Sequence, residues 1–180
     1  GDVAELIGWY LAEGSIRYQH DGSGPQNFTV AQSRTANPEK CRRIEALLTR
    51  LRFRWGYYGH EYIVPVGVVP AALFALLAAQ RYSTKKRVPR ECFQWSPTLI
   101  DRLLSGMLAG DGNIAEIAGA SYPKVEYYTA SSGLADDVQV LALLCGLHAR
   151  VKRRVRVGAG CVVEGGRKIS TKHASYTTVI

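Results

Sequence analysis

Apolar positions along the chain follow helical and strand periods in turn. Residues 38–51 carry apolar side chains at i, i+3, i+4 and i+7, which is the period of a helix with one buried face. The same pattern predicts a helix over 134–147, and Pro70 opens a further helix predicted over 70–80. Strand-like segments are predicted at 15–19, 26–33, 54–66, 114–118, 124–131, 149–157 and 172–180.

The order of these elements repeats. Residues 6–14 read Leu-Ile-Gly-Trp-Tyr-Leu-Ala-Glu-Gly and residues 104–112 read Leu-Ser-Gly-Met-Leu-Ala-Gly-Asp-Gly, so an offset of 98 places Glu13 on Asp111. Further along, an offset of 96 matches Ile44, Leu47, Leu48 and Leu51 to Val140, Leu143, Leu144 and Leu147. We therefore predict two related units, 1–96 and 97–180, of an α+β protein whose second unit lacks the third helix of the first.

Each repeated nonapeptide predicts a helix that ends in an acid. Gly8 and Ala12 lie one helical turn apart, as do Gly106 and Gly110, so small residues form a stripe on which the two helices can pack closely. Packing of this kind brings Glu13 and Asp111 together at two helix C-termini, where the dipole already disfavours negative charge. A divalent cation with oxygen ligands, such as Mg²⁺, relieves that repulsion. The repeat therefore predicts a two-carboxylate metal site.

The composition and charge of the chain narrow the range of possible functions further. The chain has 180 residues, 47% of them hydrophobic, and 23 Lys and Arg against 15 acids give a net charge of +8, which favours a polyanionic partner. No apolar run approaches a membrane span and no signal peptide is apparent, so we expect an intracellular, cytoplasmic protein. The four cysteines form no CxxC pair and the four histidines lack ligand spacing, which argues against a zinc site or a disulfide framework.

Basic and polar side chains alternate along several predicted strands. In a strand over 150–157, every second side chain is basic and therefore shares one face, at a spacing of about 6.6 Å that approaches the phosphate spacing of DNA. The candidate DNA contacts of the second unit are Lys124, Glu126, Tyr128, Arg150, Lys152, Arg154 and Arg156, and those of the first are Arg17, Gln19, Asn27, Thr29 and Arg34. Since the units differ in sequence, we expect a long pseudo-palindromic target. Core packing explains the aromatic residues Trp55, Tyr57, Tyr58 and Tyr62 more simply than base stacking.

Both nonapeptides resemble the motif of the LAGLIDADG homing endonucleases. Glu13 replaces the usual Asp in the first copy, and Trp9 and Tyr10 are unusual there, but the carboxylate is kept. The segment Lys86-Arg87-Val88-Pro89 resembles the Lys-x-Ile/Val-Pro block of intein-type members, and residues 128–139 resemble the block after the second motif. Together these similarities cover nearly the whole chain.

The resemblance implies a monomer with a pseudo-two-fold repeat of αββαββα units, in which saddle-shaped antiparallel sheets straddle double-stranded DNA. It also implies Mg²⁺-dependent hydrolysis of both strands across the minor groove, leaving 3′ overhangs, with Mn²⁺ able to substitute and Ca²⁺ supporting binding without turnover. Glu13 and Asp111 become metal ligands, and the carbonyls of Ala12 and Gly110 complete the coordination. The remaining assignments are Lys86 as the basic residue that supports the attacking water or the transition state, Gln32 in the active-site water network, and Lys172 as a candidate second-unit counterpart of Lys86. Gln32 and Lys172 are also candidate DNA contacts.

Two other functions fit the same scaffold. One is a DNA-binding regulator that has lost catalysis, although such members tend to lose the carboxylate pair that this chain keeps. The other is an RNA-splicing maturase. Protein splicing is not expected, because the chain begins with Gly1 and has no terminal His-Asn pair.

Overall fold

The computed structural model describes residues 1–80, 82–116, 123–154, 160–162, 168–170 and 174–180. The first unit runs α1 (Asp2–Glu13), β1 (Gly14–Tyr18), β2 (Pro25–Ala31), α2 (Pro38–Arg50), β3 (Gly56–Tyr58), β4 (Glu61–Pro65) and α3 (Ala71–Ala78). The second unit runs α4 (Pro97–Asp111), β5 (Gly112–Ala115), β6 (Lys124–Thr129), α5 (Ser132–Leu144), β7 (Arg150–Arg154), β8 (Gly160–Val162), β9 (Lys168–Ser170) and β10 (Ser175–Val179). Short 3₁₀ turns lie at Val66–Val68, Ser83–Lys85 and Arg90–Gln94.

The two main sheets have the same plan. Each is antiparallel with four strands, in the order β1-β2-β4-β3 and β5-β6-β10-β7. Each is preceded by a helix ending in an acid, and each is interrupted by one helix after its second strand. The α+β class and the two-unit repeat are therefore confirmed, whereas the boundary between residues 96 and 97 stays a prediction. The hairpin of β8 and β9, inserted before β10, was not predicted.

Helices α1 and α4 pack backbone against backbone at their glycines. A Cβ on Gly8 would lie 2.2 Å from the carbonyl oxygen of Leu103, and one on Gly106 would lie 2.4 Å from that of Glu5. Both distances are too short for any side chain, so only glycine permits this approach. The predicted stripe of small residues is confirmed, and it brings the two units into contact through their motif helices.

The glycine after each acid is not the left-handed glycine that often ends a helix. Gly14 and Gly112 are extended, with φ of −88° and −92°, so neither uses the left-handed conformation. A Cβ on Gly14 would instead lie 2.5 Å from the carbonyl oxygen of Tyr10, and one on Gly112 would lie 2.3 Å from that of Leu108. The chain leaves each helix so sharply that a side chain would strike the last turn.

The core lies between the helices and one face of each sheet. Its largest members are the side chains of Trp9, Tyr10, Phe28, Tyr62 and Tyr127, all fully buried. Glu5 of α1 is also buried, and Arg43 of α2 neutralises it with a 2.6 Å hydrogen bond while donating to the Ser105 hydroxyl of α4 at 2.7 Å. This polar link ties α2 to both motif helices.

The buried face of α5 differs from the predicted one. Val140, Leu143, Leu144 and Leu147, which the offset of 96 matched to the core of α2, are exposed. The buried side chains are those of Leu134, Ala135, Val138, Leu141 and Ala142. An offset of 94 therefore relates the two helices, and it also pairs the two residues of positive φ that follow them, Arg52 at 58° and Gly146 at 75°. Since α5 is apolar nearly all round, its periodicity allowed two registers, and tertiary packing selects the other one.

Three of the four cysteines are free thiols. Cys41 and Cys92 are free and buried, and Cys145 is free and half-buried. Within the described ranges, no helix combines the length and the apolar character needed to cross a bilayer.

Candidate active site

Glu13 and Asp111 meet where α1 and α4 end. A methyl group on Gly110 would lie 2.4 Å from the Cβ of Ala12 and 3.1 Å from the Cγ of Glu13, so the two helix ends are in direct contact. Both carboxylates are partly buried. The structure thus brings together the two acids that the repeat matched.

Burial and mutual repulsion make these carboxylates weaker acids than usual. Burial raises the pKa of Glu13, and the neighbouring Asp111 charge raises it further. Burial likewise raises the pKa of Asp111, while Lys86 and Lys40 act in the opposite direction on both acids. Two acids held in this way at a helix–helix contact are a common feature of functional sites.

Gln32 follows β2 and reaches the first carboxylate. Its Nε2 donates to Oε1 of Glu13 at 3.2 Å, and its own Oε1 accepts from Nδ2 of Asn37 at 3.0 Å. Gln32 is buried, so this chain of hydrogen bonds fixes the orientation of Glu13. Gln32 lies beside the acid, as predicted for a member of the site's water network.

Lys86 lies beside the site but is held by the main chain. Its Nζ donates to the carbonyl oxygens of Tyr10, Leu11 and Gly14 at 2.9, 3.0 and 2.9 Å. Tyr10 and Leu11 belong to the last turn of α1 and Gly14 follows it, so the ammonium lies at the negative end of the helix dipole. Burial lowers the pKa of Lys86 to about 8, against the opposing influence of the two acids. Lys86 and Asp111 also line one cavity of about 290 Å³, together with Ala12 and Tyr128.

Lys40 is the site residue that sequence reasoning missed. It lies in the first turn of α2, and its Nζ donates to the carbonyl oxygen of Gly110 at 3.1 Å. Its charge acts on both Glu13 and Asp111. The repeat could not reveal it, since its counterpart at the offset of 94 is Leu134, and a lone lysine on a polar helix resembles a solvated residue.

Substitution of Lys40 should slow DNA cutting without affecting the folding of the protein. We expect Lys40→Gln to slow any DNA cutting about 10- to 100-fold, because the positive charge next to both acids is lost, and to leave the melting temperature nearly unchanged. Arg42→Gln removes the same charge from an exposed position of α2 and should cut normally. Equal cutting rates for the two variants in single-turnover assays would show that Lys40 is not part of the site.

Comparisons with known proteins agree with this geometry. Residues 99–177 match the family model of the LAGLIDADG-like domain. I-DmoI in complex with DNA and Mn aligns over 99% of this chain and 88% of that one, at a TM-score of 0.58 and 9% identity. The N-terminal LAGLIDADG domain of DUF199/WhiA aligns over 98% and 74%, at a TM-score of 0.55 and 12% identity.

Residues 99–177 are thus similar to the LAGLIDADG-like domain, and the chain shares the fold of these solved LAGLIDADG proteins. Its curated relatives are much longer proteins. It is 22% identical over 157 residues to the uncharacterized protein MJ1054 of Methanocaldococcus jannaschii, covering 84% of this chain and 18% of that protein. It is 38% identical over 79 residues to the replicative DNA helicase DnaB of a Nostoc species, covering 43% of this chain and 9% of that protein. The chain thus spans less than a fifth of either relative.

The acid pair suits a divalent cation. The described residues contain no cluster of three or more His, Cys, Asp and Glu side chains, so further protein ligands would be oxygens of other kinds, such as main-chain carbonyls. The hydroxyl of Tyr127 is buried, has no hydrogen-bond partner in the described part of the chain, and lies within electrostatic range of both acids. A donor of this kind fits a site that holds water around a cation. The Gly110 carbonyl, predicted as a ligand, accepts from Lys40 at 3.1 Å and keeps a second lone pair, so it stays a candidate beside the Ala12 carbonyl.

The polar face of the first sheet carries only some of the predicted DNA contacts. Residues opposite one another share a face, and this one holds Ser15, Arg17, Asn27, Thr29 and Glu61. Arg17 is exposed and ion-paired with Glu61, and Gln19 lies exposed in the turn after β1. Thr29 is buried and shares a 2.8 Å hydrogen bond with the Ser15 hydroxyl, so it offers little surface to a ligand.

Arg34 is exposed and is ion-paired with Glu45, as Arg17 is with Glu61. Its Nη2 donates to Oε1 of Glu45 at 2.7 Å, and its guanidinium lies 4.1 Å from the ring centre of Tyr57. Tyr62 is buried and Tyr57 is partly buried, as core packing predicted. Tyr58 is 79% exposed, so the core expectation is wrong for this side chain.

The second sheet carries the predicted basic row. Strand pairing puts Arg150, Lys152 and Arg154 at every second position of β7, on the same face as Tyr128 and Glu126. Arg150 and Lys152 are exposed. Glu126 is buried, pairs with Lys124 at 2.8 Å and accepts from the Tyr128 hydroxyl at 2.9 Å, so its carboxylate is shielded rather than presented. The side chain of Arg154, and Arg156 and Lys172 altogether, lie outside the described residues.

Proposed function

We propose that this chain is a site-specific DNA endonuclease that uses a divalent cation, Mg²⁺ by preference, to cut both strands of a long pseudo-palindromic duplex. The observation that carries the proposal is the pair of partly buried carboxylates, with raised pKa values, at the only glycine-mediated helix contact in the described residues. Cutting across the minor groove, with 3′ overhangs and with the chain acting as a monomer, is part of the proposal.

The proposed chemistry assigns separate tasks to the residues of the site. Glu13 and Asp111 would hold the cation, which when bound supplies an activated water and neutralises charge on the leaving oxygen. Gln32 keeps Glu13 oriented through their hydrogen bond. Lys40 and Lys86 place positive charge around the acids, where a phosphodiester becomes more negative as it reacts.

In this proposal, the polar faces of the two sheets bind the DNA. Arg17 on the first sheet, and Arg150 and Lys152 on the second, are exposed cations on these polar faces. Because the two faces carry different side chains, each unit would read a different half of the target. This difference supports a pseudo-palindromic site rather than a perfect palindrome.

Selection from a random library tests the proposal directly. A randomised duplex library is selected on the protein in Ca²⁺, and the retained DNA is then transferred to Mg²⁺. We expect one sharply defined sequence, cut in both strands with 3′ overhangs. A defined sequence that stays intact in Mg²⁺ would overturn the nuclease and favour a DNA-binding regulator. Tighter binding of structured RNA than of any duplex would favour a maturase.

A further inference from the structure

Arg87 and Val88, in the linker between the two units, are held by Asp137 of α5, and we call this set of contacts the clasp. Arg87 donates from Nε to Oδ2 of Asp137 at 2.7 Å and from Nη2 to Oδ1 at 2.6 Å. The main-chain N–H of Val88 donates to the same Oδ2 at 2.8 Å. Asp137 is buried, whereas the Arg87 side chain is 59% exposed. One carboxylate thus fixes both a side chain and the backbone of the linker.

The residue before this clasp is held at both of its ends. The carbonyl oxygen of Lys86 accepts from the Ser131 hydroxyl at 2.7 Å, and that hydroxyl also accepts from the N–H of Leu134 at the start of α5. The Lys86 ammonium, at the other end, is bonded to the last turn of α1. Lys86 therefore connects the second unit's α5 to the end of the helix that carries Glu13.

The clasp leaves the linker little freedom. A Cβ on Gly133 would lie 2.4 Å from Cδ of Arg87, so the arginine side chain lies directly across the first turn of α5. Arg87 also donates its main-chain N–H to Oε1 of Gln80 at 2.7 Å. The backbone on the C-terminal side of Lys86 is thereby bonded to Gln80 and to the buried carboxylate of Asp137.

From these contacts we infer that Asp137 is a positioning residue for the candidate active site. Through Arg87 and Val88 it fixes the position of the backbone from which the Lys86 side chain reaches the end of α1. The inference rests on the proposed nuclease function. Asp137 touches neither carboxylate, and its effect passes through Lys86. Loss of its charge removes the two-pronged bond to Arg87, and Lys86 then loses its fixed approach to the carbonyls beside Glu13.

The test compares two neighbouring acids of α5. Asp137→Asn keeps the size of the side chain but loses the charge, and Asp136→Asn makes the same change at an exposed position. We expect Asp137→Asn to lower the single-turnover cutting rate about 10- to 100-fold, with the Kd for duplex in Ca²⁺ changed by less than about 3-fold. Asp136→Asn should match the wild type in both measurements.

A double-mutant cycle shows whether the effect passes through Lys86. If it does, Asp137→Asn adds nothing to the loss already caused by Lys86→Gln, whereas an independent effect would be additive. Additive losses, or wild-type cutting by Asp137→Asn, overturn the inference. If Asp137→Asn folds poorly, Arg87→Gln is a second variant that disrupts the same clasp.

Amine labelling tests the same inference without any cutting. With an amine-reactive reagent and mass spectrometry, Lys86 should be protected in the wild type and in Asp136→Asn, and labelled several-fold faster in Asp137→Asn. Labelling of Lys85 and Lys124 should not change, which excludes general unfolding. Unchanged protection of Lys86 in Asp137→Asn overturns the positioning role. Failure of the wild type to cut any selected DNA, with the labelling result as expected, would instead count against the nuclease alone.

Discussion

Asp111→Asn should abolish DNA cutting and at the same time stabilise the protein in the absence of divalent cations. Cutting should fall at least about 100-fold, because one of two carboxylate ligands is lost, and duplex binding should survive because the polar faces are untouched. Glu13→Gln should behave in the same way. The loss of cutting comes from the missing ligand, and the gain in stability comes from removing a partly buried charge that lies beside another acid.

The sign of the stability effect follows from the pKa shifts. Both carboxyls have pKa values raised in the folded protein, first by burial, so the native state binds protons more tightly than the unfolded state. The native state therefore loses stability as pH rises from the ordinary carboxyl pKa through the raised one, and the full loss is present at neutral pH. Removing one charge should therefore stabilise the protein at neutral pH, and this gain should shrink as the pH falls towards the ordinary carboxyl pKa.

Melting curves at pH 4 and pH 7, each with and without Ca²⁺, measure this prediction. The wild type should gain stability from Ca²⁺ at pH 7, and the Asn variant should gain much less. Asp101→Asn, on the exposed start of α4, is the matched control and should leave both the cutting and the calcium effect unchanged. A variant that melts below the wild type at pH 7 would show that the acids do not repel one another.

Gly8→Ala should destabilise the whole molecule by about 3 kcal/mol or more. The new Cβ would lie 2.2 Å from the Leu103 carbonyl oxygen and 2.8 Å from the Met107 nitrogen, and both are backbone atoms of a buried helix that cannot turn aside. The motif helices would have to separate, which would also move Glu13 away from Asp111. Urea unfolding followed by fluorescence measures the loss.

Gly24→Ala is the control for this substitution. Nothing lies within 4 Å of a Cβ at that position, and its φ is not positive, so its midpoint in urea should stay close to that of the wild type. Equal midpoints for Gly8→Ala and the wild type would mean that α1 and α4 do not meet at these glycines.

The internal repeat explains why much of the site could be predicted. Two copies of one nonapeptide identified Glu13 and Asp111 as equivalent, and the small residues at i and i+4 indicated which faces of the two helices meet. Since sheet register follows from alternation, the basic row of β7 could be placed on one face before the fold was known.

Other features could not be predicted, for identifiable physical reasons. The register of α5 depends on which of two apolar stripes meets the sheet, and only tertiary packing decides between them. Lys40 has no counterpart in the second unit, so the repeat could not reveal it. The direction of the Lys86 side chain depends on Asp137 and Ser131, which lie some fifty residues further along the chain.

The contact between α1 and α4 also affects the order in which the protein can fold during synthesis. The glycine face of α1 meets a helix that follows roughly 100 residues later, and ribosomes add about 5–20 residues per second. For roughly 5–20 s, therefore, the surface of α1 around Gly8 stays uncovered, although eight of the twelve residues of this helix are buried in the finished molecule. Closing so distant a contact is slow, and the nascent first unit is the stage at which this chain is most open to misassociation.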